Sequence, residues 1–171
     1  MESSLRLFFA LPLESDDAAR VAQWQQSIAP QPRVRWVPTQ NYHLTLAYLG
    51  ETDASMIPEL VDYATEQLDV GQLPIRWSLN HVSRFSQGIW YLRGYQEPPA
   101  LQHFARALSF LVPLHTQTAP FVPHITFARC DKHLDTPDID LAITFRRISL
   151  MQSVREGAGV RYRSLHDWTG R

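Results

Sequence analysis

A chain of 171 residues, 44% apolar and 19% charged, has the make-up of a globular protein and is long enough to bury one sizeable core. Its net charge of −1 argues against a protein that coats nucleic acid through bulk electrostatics, and no run of about eighteen apolar residues offers a membrane span. The single cysteine, Cys130, excludes an internal disulfide and agrees with a reducing, cytoplasmic setting. The cations are lopsided, fifteen arginines against one lysine, Lys132. Arginine suits two-pronged recognition of phosphate, so the charge permits a locally held phosphate ligand and argues against a long wrapped polymer.

Residues 5–12 alternate and predict a first strand. Glu2 before it and "ESDD" after it replace the basic cluster and small-residue site of a secretory peptide, so it reads as a strand. "SDDAARVAQWQQSIA" then places Ala18, Val21, Trp24 (or Gln25) and Ile28 at helical spacing, with Ser15 or Asp16 as cap. "QPRVRWVP" is a short extended piece, and "YHLTLAYLG" is the next strand, stopped by Gly50. A second helix runs from about Ser55 with Ile57, Leu60, Val61, Ala64 and Leu68 on one face. "LPIRWSLNHVSRF" and "GIWYLRGY" read as strands separated by the turn "SQG". Pro98-Pro99 opens a third helix striped by Leu101, Phe104, Ala105, Leu108 and Leu111. Strands "HITFARC", "AITFRRISLMQSV" and "VRYRSLHDW" close the chain, with an acidic, solvated loop "DKHLDTPDID" between the first two and the turn "REGAG" before the last. Strands outnumber helices and their connections are mixed. The fold class is α+β with mainly antiparallel sheet, in one domain spanning 1–171.

Two short stretches carry the chemistry. In "YHLTLAYLG", Leu44, Leu46 and Tyr48 alternate with His43, Thr45 and Ala47, so an imidazole and a hydroxyl share one strand face. A lone His-x-Thr is most often a satisfied structural pair. "PFVPHITFARC" repeats it: His124 and Thr126 share a face, and a proline again precedes (Pro38, then Pro123). The copies lie 81 residues apart, close to half the chain. Two halves packed with these faces inward would leave a cleft with two opposed imidazoles. With pKa values near 6.5, one ring can stay neutral while the other is protonated, giving a general base and a general acid worth roughly 10²–10⁴ each in rate. Threonine hydroxyls could hold phosphoryl oxygens, completing what in-line opening of a cyclic phosphodiester needs.

On these segments the chain resembles the 2H phosphoesterase superfamily, and within it the bacterial RNA 2′,3′-cyclic phosphodiesterases, also called 2′-5′ RNA ligase-like proteins. "RLFFAL" is similar to the family's opening strand, "VRWVPTQNYHLTLAYLG" and "PFVPHITFAR" to its two HxTx motif regions, and "GAGVRYRSLHDW" to its closing strand. The resemblance implies two pseudo-symmetric lobes around a central cleft and no metal or other cofactor. It implies a monomer acting on RNA 3′ termini or nucleotides that carry a 2′,3′-cyclic phosphate, with no membrane partner. The implied reaction is hydrolysis to a 2′-phosphate, with reverse 2′-5′ ligation in vitro. By motif position His43 is the proton donor to the leaving 3′-oxygen and His124 the proton acceptor that activates water. Thr45, Thr126 and Arg129 would bind the phosphate. The symmetry of the sequence alone does not say which histidine does which, and strict alternation points Arg129 away from Thr126. Either a bulge or strand end re-aims it, or it serves another surface.

The remaining features are bland. His81, His103, His115, His133 and His166 lack the pattern and read as surface or satisfied polar residues. His-x-Thr supplies one ligand per motif and nothing completes a metal shell. Cys130 reads as a small hydrophobe. Trp36, Tyr42 and Phe121 lie near the motifs, where core packing is expected of each and base stacking is the alternative. Two other readings stay open: a nucleotide-binding module without turnover, and a phosphodiesterase for another cyclic phosphate, such as a small nucleotide or an ADP-ribose derivative. Substrate choice lives in loops outside the motifs.

Overall fold

The computed structural model describes residues 3–116 and 120–170. In chain order it forms β1 (Ser4–Pro12), α1 (Ser15–Gln26), β2 (Arg35–Trp36), β3 (His43–Asp53), α2 (Ile57–Gln67), β4 (Ile75–Leu79), β5 (His81–Arg84) and β6 (Ile89–Arg93). Then follow α3 (Pro99–Leu108), β7 (Ile125–Arg129), β8 (Leu141–Phe145), β9 (Arg147–Glu156) and β10 (Gly159–Thr169), with short 3-10 turns between. The architecture is α+β, and every pairing among the described strands is antiparallel.

One sheet runs β10-β9-β1-β3, a second β2-β7-β6-β5, and β4 pairs with β8 alone. The first sheet thus joins both ends of the chain, and the second is built mainly from its middle. β1 lies between β9 and β3, and residues from Leu7 to Leu13 are buried on both of its faces, as a central strand requires. Leu7, Phe9 and Leu11 enter the main core, while Phe8 and Ala10 meet Met151 and Tyr162 on the opposite face. α3 buries Leu101, Phe104, Ala105 and Leu108 and packs against β3 and α2, while α1 packs against β8. β3 and β7, the strands of the two motifs, touch each other although they belong to different sheets.

Several expectations need correction. β3 does not stop at Gly50 but continues to Asp53, because Gly50 adopts φ +74° and lets the strand bend without ending. "LPIRWSLNHVSRF" is two strands divided at Asn80, the first joining β8 and the second β6. "AITFRRISLMQSV" likewise divides at Arg146 into β8 and β9. At each break the apolar positions slip by one, from Ile75, Trp77 and Leu79 to Val82 and from Ile143 and Phe145 to Ile148 and Leu150, which marks the break but not the change of partner. α1 ends at Gln26, with Ile28 buried beyond it, and its cap position is Glu14 without a side-chain bond. Asp17 instead accepts from Thr144 N at 2.8 Å, tying the helix to β8. Leu111 falls in a 3-10 turn after α3 and is only half-buried. The acidic loop at 131–140 is not wholly solvated, since Leu134 and Ile139 are buried.

Candidate active site

Each motif begins with a histidine held by the backbone behind it. His43 Nδ1 donates to Asn41 O at 2.7 Å, and His124 Nδ1 donates to Val122 O at 2.6 Å. A carbonyl only accepts, so both neutral rings carry their proton on Nδ1 and keep the Nε2 lone pair for chemistry. His43 Nε2 accepts from Thr45 Oγ1 at 2.9 Å. Each ring is also wedged between two aromatic side chains. Phe8 and Tyr162 stand 5.2 and 5.0 Å from His43, and Phe85 and Tyr91 stand 5.0 and 5.3 Å from His124. Packing and the Nδ1 hydrogen bond orient both rings, and His43 has the Thr45 bond in addition.

The two strands share a defect as well as a motif. Along β1–β3, Phe9 faces Ala47 and Ala10 faces Thr45, leaving Leu46 as an extra residue. Along β6–β7, Trp90 faces Ala128 and Tyr91 faces Thr126, leaving Phe127 extra. Each bulge sits three residues after its histidine and puts two buried residues in succession, Leu46-Ala47 and Phe127-Ala128. The extra residue turns Arg129 back to the side of Thr126. This resolves the alternation conflict in favour of the bulge. In the first motif Tyr48 occupies the place that Arg129 takes in the second, and both are exposed.

His43, Thr45, His124, Thr126 and Arg129 all line one cleft of about 1290 Å³. Burial holds His43 below the usual imidazole value of 6.5; its bond to Asn41 opposes this, and the charge of His124 adds to it. Burial also lowers His124 below 6.5, against its bond to Val122 and with the nearby Arg93 guanidinium. His43 therefore feels the charge of His124. Such a cleft can hold one imidazole neutral and one protonated beside hydroxyl and guanidinium donors.

The other histidines lie elsewhere. His81 Nδ1 bonds Tyr95 Oη at 2.9 Å, His133 meets Asp135 at 2.9 Å, His103 lies beside Phe104, and His166 lies against Trp168. The expectation for His115 concerns a side chain outside the described ones. Among the described residues no group of three or more His, Cys, Asp or Glu side chains could hold a metal ion. Cys130 is buried. Of the three aromatics near the motifs, Trp36 lines the cleft, Tyr42 is 2% exposed in the core, and Phe121 packs half-buried against it.

Some residues at the site gave no sequence signal. Tyr162 and Phe85 line the cleft from distant strands and loops. Asn41, one of two buried polar residues among those described, holds His43 through its carbonyl and donates from Nδ2 to Val160 O at 2.9 Å. It thereby links the first histidine to the β9–β10 hairpin. Its neighbouring position to His43 was visible, but its partner across the fold was not.

Two antiparallel sheets whose motif strands meet at one cleft, each with a bulged His-x-Thr, gather two imidazoles, two hydroxyls and a guanidinium around it. The family model described as LigT like Phosphoesterase matches residues 11–91, which include the first motif. Over those residues the chain is similar to that family. It is 27% identical over 177 residues to an Escherichia coli (strain K12) protein named RNA 2′,3′-cyclic phosphodiesterase, covering 98% of each chain. Crystal structures of E. coli LigT share the fold. The ATP complex is 26% identical with a TM-score of 0.84, and the 3′-AMP complex is 25% identical with 0.85; each comparison covers 98% of this chain and 99% of the other.

Proposed function

We propose that this protein hydrolyses 2′,3′-cyclic phosphate termini of RNA to 2′-phosphates without a metal. The observation that carries the reading is the matched pair of bulged His-x-Thr strands lining one cleft. His124 Nε2 takes a proton from water as its oxygen attacks phosphorus in line with the bond to the 3′-oxygen. That bond breaks, and the 3′-oxygen takes the proton carried on His43 Nε2. Water has added across the ring, and the 2′-ester remains. Thr45 and Thr126 hydroxyls and the Arg129 fork donate to the non-bridging oxygens, whose charge must be met as the fifth ligand arrives.

The assignment of base and acid rests on an asymmetry. Arg93 lies where its charge disfavours a cationic His124, which suits a base that must start neutral. The acid, His43, keeps Thr45 Oγ1 on its Nε2, a hydroxyl that can accept from the protonated ring and yield to the leaving oxygen. The same steps reversed would join a 5′-hydroxyl to the cyclic phosphate in a 2′-5′ bond. The relatives named for this activity support the substrate class.

The test is a short RNA ending in a 2′,3′-cyclic phosphate, incubated with EDTA. A 2′-phosphate product, absent with His124→Ala, is the expected result. A 3′-phosphate product would overturn the assignment of the leaving oxygen. Tight binding without product would favour the binding-module reading, and activity restored only by added metal would overturn the two-histidine mechanism.

A further inference from the structure

The cleft is larger than the reacting group needs. Its volume of about 1290 Å³ exceeds the roughly 300–1,000 Å³ of small-molecule sites. Beyond Arg129 its lining includes three more arginines: Arg35 on β2, Arg155 near the end of β9 and Arg161 near the start of β10. Against these the lining offers one carboxylate, Glu156, which pairs with Arg161 at 3.0 Å. In a chain of net charge −1 the cleft lining is thus locally basic.

The placement of these arginines has a cost. Arg35 and Arg129 face each other directly across the β2–β7 pairing, where like charges repel. An anion lying between them removes that repulsion. Arg129 and Arg155 have no carboxylate partner among the described residues. The hairpin that carries Arg155 and Arg161 is held at the rim: Arg35 Nη2 donates to Ala158 O at 3.5 Å, and Asn41 Nδ2 to Val160 O. Guanidinium forks are suited to phosphodiester oxygens.

Resting on the phosphodiesterase reading above, we propose that Arg35, Arg155 and Arg161 form a track for the backbone phosphates 5′ of the reacting end. The cleft then takes a short single-stranded oligonucleotide in preference to a mononucleotide. A mononucleotide reaches the histidines, threonines and Arg129 but leaves the track empty. Each upstream phosphate that meets an arginine releases counterions and adds affinity that falls with salt.

The experiment compares a tetranucleotide ending in a 2′,3′-cyclic phosphate with the nucleoside 2′,3′-cyclic phosphate of the same terminal base. The readout is the ratio of the two kcat/KM values in one preparation, so any loss of folded protein cancels. For the native chain at low salt we expect about a tenfold preference for the tetranucleotide, shrinking as salt is added. In Arg155→Gln/Arg161→Gln, and to a smaller extent in Arg35→Gln, the preference collapses toward one. A ratio near one in the native chain, or one that the substitutions do not move, overturns the track and leaves the phosphodiesterase reading standing. If neither substrate turns over, that reading fails and the track is read by fluorescence anisotropy with a 3′-phosphorylated tetranucleotide. Binding tighter than that of the 3′-mononucleotide, and weakened in Arg155→Gln/Arg161→Gln, upholds the track; binding independent of length overturns it.

Discussion

His43 and His124 are set apart from the other histidines by what lies behind and around them. A backbone carbonyl takes Nδ1–H and two aromatic rings flank each imidazole, so Nε2 is the nitrogen that the proposed proton transfers would use. Replacing either by alanine should lower kcat by roughly 10²–10⁴, measured on a cyclic-phosphate RNA, with the fold retained by circular dichroism. Both rings are held below 6.5 in the free protein. The profile of kcat/KM against pH should therefore be bell-shaped with its centre below pH 6.5, since that plot reports free-enzyme groups. The limbs belong to the coupled pair rather than to one ring each. Tyr42, next to His43, makes a contrasting case. Its hydroxyl is buried without a partner, and burial pushes its pKa up to about 12. Tyr42→Phe removes only that unpaired group, so the melting temperature should hold or rise. The His-x-Thr pairs could be read from spacing alone. Arg129 could not, because a bulge at Phe127 breaks the alternation on which such a reading depends.

At the scale of elements, the β9–β10 hairpin and its tether matter most. Asn41 joins it to the first motif by one part-buried bond from Nδ2 to Val160 O. Asn41→Ala leaves the carbonyl that holds His43 but strands the hairpin's acceptor. We expect a loss of about 1–3 kcal/mol in stability, and hydrogen exchange should show faster opening at residues 159–162 than in α3. A second element-level constraint is Gly94, after β6. A Cβ there would run into Ser78 O and stand 2.6 Å from Trp77 Nε1, so β4 and the end of β6 meet only over a glycine. Gly94→Ala must push β4 away, and denaturant titration should show a large loss of stability. In the helices, Phe104 is fully buried on the predicted stripe of α3, and Phe104→Ala should cost about 3–5 kcal/mol. That stripe was legible because a helix shows its buried face in one sequence period. The hairpin's tether was not, because a side chain bonding a backbone more than a hundred positions away leaves no local pattern.

For the whole molecule, the same groups that serve the site make the fold sensitive to acid. The unfolded histidines titrate near 6.5, whereas the folded ones resist protonation. Between those values the unfolded chain binds more protons, so stability falls as pH drops below 6.5 until the folded values are passed. A further loss comes from Asp167. Burial works to raise its pKa, but Ser149 and Ser164 hydroxyls at 2.5 and 2.6 Å and Arg147 at 3.2 Å hold it below the usual 3.8. Its contribution is present above 3.8 and is lost as pH falls through the folded value. Thermal melts across this range should show two steps, and His43→Gln/His124→Gln should flatten only the upper one. The sequence by itself determined the α+β class, the three helical stripes and the pair of His-x-Thr motifs, since each is a local period of one element. Only the tertiary structure decided that "LPIRWSLNHVSRF" and "AITFRRISLMQSV" each serve two sheets, that Arg129 turns inward, and that Tyr162, Phe85 and Asn41 complete the site. Those outcomes depend on which strands pair and where their register slips, and both are fixed by contacts between residues far apart in the chain.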